Sequence, residues 1–261
     1  MIDIHCHILP GVDDGAKDWD EALEMCALAR LDGIHTIVAT PHFKPGVYSP
    51  GKALIFEKVA NLNQRLASRS ALPPLTVLPG ADNSFQPDIL KQIEEGNALS
   101  LNPPNPTNAI NLVNAPNATL RYVLLELPGY FLFHQVKDLI LKLREKNIVP
   151  ILSHPERIAM IQRNYKLLHE FIQAGALSQV TAMSITGEFG KDIKKFTKTL
   201  LTKNLVHIIA SDAHSKHRRT PILSRAVTEA ATLVGKDQAE MMVKKTPQAI
   251  IEGKKIEIEN S

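Results

Sequence analysis

Residues 1–15, MIDIHCHILPGVDDG, place two histidines on either side of a cysteine within a short apolar run. In an extended strand alternate side chains share a face, so His5 and His7 would project together while Cys6 points away and packs. Two buried imidazoles need polar partners, and a metal ion is the simplest partner that both could share. The stretch predicts a first strand that carries a metal-binding pair, followed by a carboxylate-rich loop.

Short β-branched runs alternate with amphipathic helical stretches along the rest of the chain, as in residues 135–146, where apolar side chains recur three or four positions apart. Repeated strand–helix alternation predicts an α/β fold with a parallel sheet, and at 261 residues a closed or nearly closed barrel in one domain. The predicted strands are Ile2–His5, Thr36–Ala39, Leu75–Leu78, Tyr122–Leu125, Ile148–Leu152, Gln179–Met183 and Val206–Ala210.

Composition restricts the class of protein. Hydrophobic residues make up 44% of the chain and charged residues 22%, as in ordinary globular domains. The net charge of +3 is small and evenly spread, which argues against a nucleic-acid partner. Two cysteines cannot form a disulfide framework, and the sequence has neither a signal-peptide pattern nor a run of eighteen apolar residues. We therefore expect a cytoplasmic chain without a membrane span.

Residues 97–119, NALSLNPPNPTNAINLVNAPNAT, interrupt the alternation of strands and helices. The stretch is rich in asparagine and proline and poor in charge, so it is unsuited to a long helix. We expect a surface insertion loop ahead of the fourth strand, within a single domain that covers residues 1–261. We expect it to be dispensable for catalysis rather than to act as a lid.

Side chains that could bind metal follow the predicted strands. In a parallel barrel the carboxyl ends of the strands form one rim, and the active site lies there. Four carboxylates in one pocket repel each other unless cations neutralise them, so the pattern predicts several divalent metal ions. Carboxylates mixed with imidazoles, without thiolates, suit Mn, Fe or Zn rather than a structural zinc site. The nine candidate ligands are His5, His7, Asp14, His42, Asp82, Glu126, His154, Asp212 and His214.

Two arginines follow predicted ligands closely enough to reach the same rim. Arg157 comes three residues after His154, and Arg219 five residues after His214. A guanidinium can bind a phosphate with two parallel hydrogen bonds, so we expect both to contact phosphate, with Arg218 as a competitor for the second position. The other histidines are expected to be ordinary hydrogen-bonded side chains: His35, His134, His169, His207 and His217.

Six short motifs occur in an order that resembles the polymerase-and-histidinol-phosphatase (PHP) superfamily. They are HCH (5–7), VDDG (12–15), TPH (40–42), ELP (126–128), SHPER (153–157) and SDAH (211–214). The resemblance is strongest to the PHP-type bacterial protein tyrosine phosphatases of capsule and exopolysaccharide operons, and it includes SQVTAMSITGEFG (178–190). It runs from Met1 through the helix after Pro221 and leaves residues 97–119 outside. It implies a distorted (β/α)7 TIM-like barrel.

The resemblance also implies three metal ions, usually manganese, with Fe, Zn or Mg as alternatives. A metal-bound hydroxide between the first two metals would hydrolyse phosphotyrosine, with Arg157 and Arg219 on the phosphate. The bridging ligand is usually glutamate in this superfamily, so the shorter Asp82 implies a strand end closer to the metals or a weaker site. The implied ligand sets are His5, His7, Asp82 and Asp212 for the first metal, Asp82, Glu126 and His154 for the second, and Asp14, His42 and His214 for the third.

The implied substrate is the phosphotyrosine-bearing tail of a membrane-associated tyrosine kinase that regulates polysaccharide chain length. The sequence agrees in lacking the Cys-x5-Arg loop of a cysteine phosphatase, because neither Cys6 nor Cys26 is followed by arginine at that spacing. Homo-oligomerisation is left open.

Three other functions compete with this one. A histidinol-phosphate or other small phosphomonoester phosphatase would share the superfamily and the metals. An amidohydrolase-type metallohydrolase also begins with His-x-His, but it usually adds a lysine at the fourth strand, where this chain has Glu126. A third alternative is a barrel without catalysis that binds the kinase.

Overall fold

The computed structural model describes residues 1–69, 72–103 and 120–256. Within these ranges short strands alternate with helices over most of the chain. The strands are β1 (Ile2–Cys6), β2 (Thr36–Ala39), β3 (His42–Phe43), β4 (Thr76–Pro79), β5 (Asp82–Ser84), β6 (Arg121–Glu126), β7 (Ile148–Ser153), β8 (Leu177–Thr181) and β9 (Ile208–Ala210).

The helices follow the apolar periodicity of the sequence. The first of them begins after Asp18, whose carboxylate accepts a hydrogen bond from the backbone N–H of Glu21 at 2.9 Å and so caps the helix. The helices are α1 (Trp19–Leu31), α2 (Lys52–Ala67), α3 (Ile89–Glu94), α4 (Phe133–Glu145), α5 (Ala159–Arg163), α6 (Lys166–Gln173), α7 (Ala182–Thr186), α8 (Lys191–Thr202), α9 (Ser224–Val234), α10 (Lys236–Met241) and α11 (Lys245–Ile251), with a 3-10 turn at Pro155–Arg157.

All strand pairs within the two sheets are parallel. One sheet has the order β1-β2-β4, and the other has the order β3-β5-β6-β7-β8-β9. Backbone hydrogen bonds also join the end of β1 to the segment after β9: the N–H of Asp212 donates to the carbonyl of His5, and the N–H of His7 donates to the carbonyl of Ala213, both at 2.8 Å. The predicted α/β fold with a parallel sheet is confirmed.

The two sheets arise because two strands are interrupted just before their polar ends. Pro41, between β2 and β3, has no N–H to donate to a ladder. Gly80, between β4 and β5, lies so close to Val38 that a Cβ would approach the Val38 Cγ1 atom to 2.7 Å. After the interruptions His42 pairs directly with Asp82. Both residues follow predicted strands, as expected, but each lies in a short further strand of the second sheet that was not predicted.

Strand side chains divide between two apolar clusters. The inner cluster combines residues from β1, β2, β4, β6, β7, β8 and β9, such as Ile4, Leu124 and Ile208, with α11. The outer cluster combines the opposite faces of the strands with helical residues such as Cys26 and Ile140. The strands are therefore buried on both faces, as their continuous apolar sequences predict.

The predicted sixth strand ends too late. Gln179–Met183 was expected to be extended, but β8 ends at Thr181 and α7 begins at Ala182. The buried carboxylate of Glu156 explains the change, because it accepts hydrogen bonds from the backbone N–H of Thr181 and the hydroxyl of Ser184 and holds the chain in a turn.

The predicted insertion at 97–119 is described only up to residue 103, and residues 104–119 lie outside the described residues. Residues 98–102 are buried, contrary to the expectation of a surface loop. The Asn102 side chain explains their placement, because it donates to the carbonyl of Leu120 and accepts from the N–H of Tyr122. No helix in the described part of the chain is long and apolar enough to cross a membrane.

Candidate metal centre

The structure brings the nine predicted ligands and both arginines to one edge of the sheets. Side-chain contacts of 3.8 Å or less connect all eleven residues into a single cluster. Asp212 lies at its centre: one carboxylate oxygen is 3.4 Å from His5 Nε2 and 3.5 Å from His7 Nε2. Six strand ends that are far apart in sequence thus supply one site.

Three imidazoles in the cluster have the same orientation. The Nδ1 atom of His7 is 2.7 Å from Asp13, that of His5 is 2.8 Å from the Gln179 side-chain oxygen, and that of His214 is 3.0 Å from the Asp212 carbonyl. Because each partner is an acceptor, each Nδ1 carries a proton, and in the neutral form of each ring the lone pair lies on Nε2. These lone pairs face the interior of the cluster, as metal-binding histidines require.

The Nε2 atoms of His5 and His7 are only 3.1 Å apart. Two lone pairs at this distance repel unless a proton or a cation lies between them or beside them. Since both rings are buried, water cannot relieve that repulsion. The pair therefore has the donor chemistry of a cation site.

Asp82 and His42 form a second part of the cluster. His42 Nδ1 lies 3.3 Å from Asp82 Oδ2 and 3.8 Å from a carboxylate oxygen of Glu126. Neither His42 Nδ1 nor Asp82 Oδ2, both buried, forms a hydrogen bond within the described residues, and the same is true of His214 Nε2. Buried polar atoms without partners are uncommon, and here they are potential metal donors. The residues present therefore fit divalent cations.

Within the described part of the chain, donor atoms that lie within 4.8 Å of one another form three groups. These groups differ from the ligand sets that the resemblance implies. His7 also joins the group around His214, Asp82 is absent from the group of His5, and His42 takes the place of His154 beside Asp82 and Glu126. His154 stands outside these groups but lies 3.6 Å from Glu126. The groups are His7, Asp14, His42 and His214; His5, His7 and Asp212; and His42, Asp82 and Glu126.

Electrostatic interactions in the cluster move its pKa values apart. Burial lowers the pKa of His7, but hydrogen bonds to Asp13 and Asp212 outweigh burial and raise it to about 10. Burial lowers the pKa of His154 to about 3, with a further contribution from Arg157. A proton on His7 and a divalent cation would satisfy the same Asp212 carboxylate, so cation binding would release that proton.

Two predicted ligands have a strained backbone. His154 has φ 36° and Asp212 has φ 51°, in the left-handed region that residues with a Cβ seldom adopt. Such a conformation costs roughly 1–3 kcal/mol and persists where the surrounding structure enforces it. His154 comes directly after β7 and Asp212 two residues after β9, and the left-handed conformation turns both side chains back toward the cluster.

Both arginines contact the central carboxylate. The Nη2 atoms of Arg157 and Arg219 lie 2.5 and 2.6 Å from the same Asp212 oxygen. The Nε atom of each is buried and has no acceptor within the described residues. The Arg157 guanidinium also lies 5.2 Å from the ring centroid of Phe189. Each guanidinium is therefore fixed on one side and retains donors for another anion.

The cysteines are buried and apart from this chemistry. Burial raises the pKa of the Cys26 thiol to about 12 and raises that of Cys6 well above its ordinary value. Because the thiolate is the nucleophile in cysteine phosphatases, these thiols are unsuited to that role.

Two functional side chains were not among the predicted site residues. Asp13 and Gln179 orient His7 and His5, and Asp13 also accepts the backbone N–H of His42 at 2.9 Å. The position of Asp13 in the DDG sequence is a usable signal, whereas nothing in the sequence marks Gln179. Among the other histidines, His207 Nδ1 accepts from the backbone N–H of Ser178 at 3.1 Å and takes no part in the cluster.

Comparison with known protein families shows which family the chain belongs to. The family described as capsular polysaccharide synthesis, CpsB/CapC, matches residues 1–252. The chain belongs to the CpsB/CapC family. Two curated relatives carry the name tyrosine-protein phosphatase. YwqE of Bacillus subtilis is 38% identical over 219 residues, 84% of this chain and 79% of the relative. CpsB of Streptococcus pneumoniae is 28% identical over 256 residues, 96% of this chain and 98% of the relative.

Solved structures agree with this assignment to the CpsB/CapC family. A structure from work on YwqE and CpsB, described there as unique metal-dependent tyrosine phosphatases, superimposes with a TM-score of 0.87 at 34% identity, covering 98% of this chain and 96% of the other. A histidinol phosphate phosphatase from Lactococcus lactis superimposes with a TM-score of 0.57 at 14% identity over 90% of this chain and 92% of the other. The second likeness shows a shared fold only.

Proposed function

We propose that this chain is a metal-dependent protein tyrosine phosphatase. The observation that carries the proposal is the single cluster of nine imidazole and carboxylate side chains with two guanidinium groups on its central carboxylate. Membership of the CpsB/CapC family and the names of the relatives support the same activity.

The ligand set fits a cluster of three divalent ions, for which we propose manganese. Hard carboxylates mixed with imidazoles, and no thiolate, favour such ions over a structural zinc site. Bound ions would lower the pKa of a water molecule and offset the charge of a phosphate ester. The side chains proposed to hold them are His5, His7, Asp14, His42, Asp82, Glu126, His154, Asp212 and His214.

Arg157 and Arg219 are proposed to bind and orient the phosphate. Their side chains are 22% and 29% exposed, so they lie at the boundary between the buried cluster and solvent. Each guanidinium shares the Asp212 carboxylate and keeps unused N–H donors, an arrangement suited to the non-bridging oxygens of a phosphate. Charge on those oxygens in the transition state would be stabilised by the same donors.

The proposed substrate is a phosphotyrosine on a tyrosine kinase that takes part in capsular polysaccharide synthesis. The support is the family's description and the relatives' names. We further infer one domain, a distorted barrel closed between β1 and β9, and a cytoplasmic location. The two hydrogen bonds between the end of β1 and the segment after β9 support closure, and the free cysteines suit a reducing compartment.

The proposal is tested with p-nitrophenyl phosphate, a phosphotyrosyl peptide and histidinol phosphate as substrates. Manganese-loaded protein should hydrolyse the first two far faster than the third. A chelator should abolish turnover, whereas thiol alkylation should leave it unchanged, because the cluster and not a thiol carries the chemistry. Preference for histidinol phosphate would instead favour the small-molecule phosphatase.

Two variants test whether activity depends on the metal cluster or on the neighbouring Cys6 thiol. His5→Ala should remove turnover and lower metal content, because Nε2 of His5 faces both Asp212 and Asp82. Cys6→Ser, at the neighbouring position, should keep both. Normal turnover in His5→Ala, or loss of activity on alkylation but not on chelation, would contradict the proposed function.

A further inference from the structure

A cavity of about 390 Å³ is lined in part by the segment that follows His214 of the proposed cluster. It opens between α7 and the segment that leads from the cluster into α9. Its lining is partly basic, and none of the residues that line it belongs to the proposed metal site. The lining residues that matter here are Met183, Thr186, Glu188, His217, Arg218 and Arg225.

Two consecutive arginines belong to different sites, one to the proposed metal cluster and the other to the cavity. Arg219 contacts Asp212 in the cluster, whereas Arg218, one residue earlier, is exposed and lines the cavity. The backbone enforces the division: the hydroxyl of Ser215 accepts the N–H of Arg218 at 3.2 Å, and the N–H of His214 donates to the carbonyl of Arg219 at 2.8 Å. Because Arg218 and Arg219 are consecutive, with Cα atoms about 3.8 Å apart, the segment that lines the cavity continues directly into the residue proposed to bind phosphate.

The cavity has an excess of positive charge. The Arg225 guanidinium lies 3.4 Å from Glu188, whose carboxylate also accepts the Thr186 hydroxyl, so that pair is largely neutral. The Arg218 guanidinium has no carboxylate partner within the described residues. An unpaired guanidinium beside an open cavity attracts a carboxylate or a phosphate.

We propose that Arg218 binds an anionic side chain of the same substrate peptide that presents phosphotyrosine to the cluster. The inference rests on the proposed function and adds a sequence preference to it. An extended peptide advances about 3.3 Å per residue, so a side chain within three residues of the phosphotyrosine reaches the cavity. The chemistry that is recognised is a negative charge, which either a carboxylate or a second phosphate can supply.

The test compares phosphotyrosyl peptides that differ at one flanking position within three residues of the phosphotyrosine. That position carries glutamate, glutamine or a non-hydrolysable phosphonate mimic of phosphotyrosine. Manganese-loaded wild-type protein should have a KM about three- to fivefold lower for the anionic peptides, as an exposed charge pair allows, with similar kcat. The preference should disappear at about 1 M salt. The more strongly preferred anion identifies the group that is bound.

Arg218→Ala should remove the preference and leave hydrolysis of p-nitrophenyl phosphate unchanged, because that substrate has no flanking residues. Arg163→Ala, which removes the same charge from an exposed position on α5, should keep the preference. A wild-type protein without preference, or an equal loss in both variants, would overturn the inference while leaving the phosphatase proposal intact. Absence of hydrolysis for every phosphotyrosyl peptide would instead overturn the proposed function.

Discussion

Asp13 is not one of the proposed ligands, but it determines the orientation of two of them. Its carboxylate accepts hydrogen bonds from the Nδ1–H of His7, the backbone N–H of His42 and the backbone N–H of Gly15. It therefore fixes the ring of one proposed ligand and the backbone of another. A carboxylate in this position also makes the imidazole a stronger donor to a cation.

Asp13→Asn should lower metal affinity by about 10- to 100-fold, the range found when such orienting partners are lost. The amide oxygen can still accept from the backbone, so the fold should persist, but the negative charge that favours the His7 proton on Nδ1 is gone. Manganese titration by calorimetry measures the change, and excess manganese should restore turnover. Asp20→Asn, at an exposed position on α1, is the matched control and should bind manganese normally. Equal affinities for the two variants would contradict the role of Asp13.

The individual candidate ligands could be predicted from the sequence because both their residue types and their positions after predicted strands were informative. Imidazoles and carboxylates followed predicted strands, and parallel strands bring their carboxyl ends together. Gln179 could not be predicted, because an amide inside a strand looks like any polar residue until its partner is known. The choice between Arg218 and Arg219 likewise depended on the turn at Ser215, which the sequence does not reveal.

The loop between β1 and α1 is the element that carries Asp13 and Asp14 to the cluster. It folds back on β1, since the N–H of Ala16 donates to the carbonyl of His7 at 3.1 Å. Gly15 makes this approach possible, because a Cβ there would lie 2.1 Å from the His7 carbonyl oxygen. The loop therefore depends on a residue without a side chain for reasons of space.

Gly15→Ala should force the loop away from β1. Overpacking of this kind costs typically 1–3 kcal/mol in the free energy of unfolding, which denaturant titration measures. Metal affinity should fall as well, because Asp13 and Asp14 move with the loop. Gly129→Ala is the control, since a Cβ there meets open space and should change stability by less than about 0.5 kcal/mol. Unchanged stability and affinity in Gly15→Ala would show that the loop adapts freely.

Elements with strong apolar periodicity could be predicted closely from the sequence. Strand β2 has its predicted bounds, Thr36–Ala39, because its β-branched run stops shortly before Pro41. The short strands β3 and β5 could not be predicted, because two or three residues are too few for a periodic pattern. Helix α7 depends on the buried Glu156, a contact across 25 residues or more of sequence.

At the scale of the whole molecule, the cluster joins the first strand, β1, to the segment that follows the last strand, β9. His5 and His7 in and after β1 meet Asp212 after β9, and the other proposed ligands follow strands in between. Four carboxylates converge there, and their repulsion is offset in part by Arg157 and Arg219 on Asp212. A cation bound at this place would hold β1 and the segment after β9 together, in addition to its part in the proposed reaction.

Manganese should therefore raise the stability of the whole fold. A ligand that binds the native state alone adds RT ln(1 + [L]/Kd) to the free energy of unfolding, about 2.7 kcal/mol at 100 times Kd. For a chain of this length that gain corresponds to a rise of roughly 5–10 °C in Tm, which calorimetric scans against manganese concentration measure. Asp212→Asn should lose most of the rise, because Asp212 contacts both His5 and His7, whereas Asp237→Asn on α10 should keep it. If manganese left the wild-type Tm unchanged, or raised that of Asp212→Asn equally, these side chains would not be the ones that bind the metal.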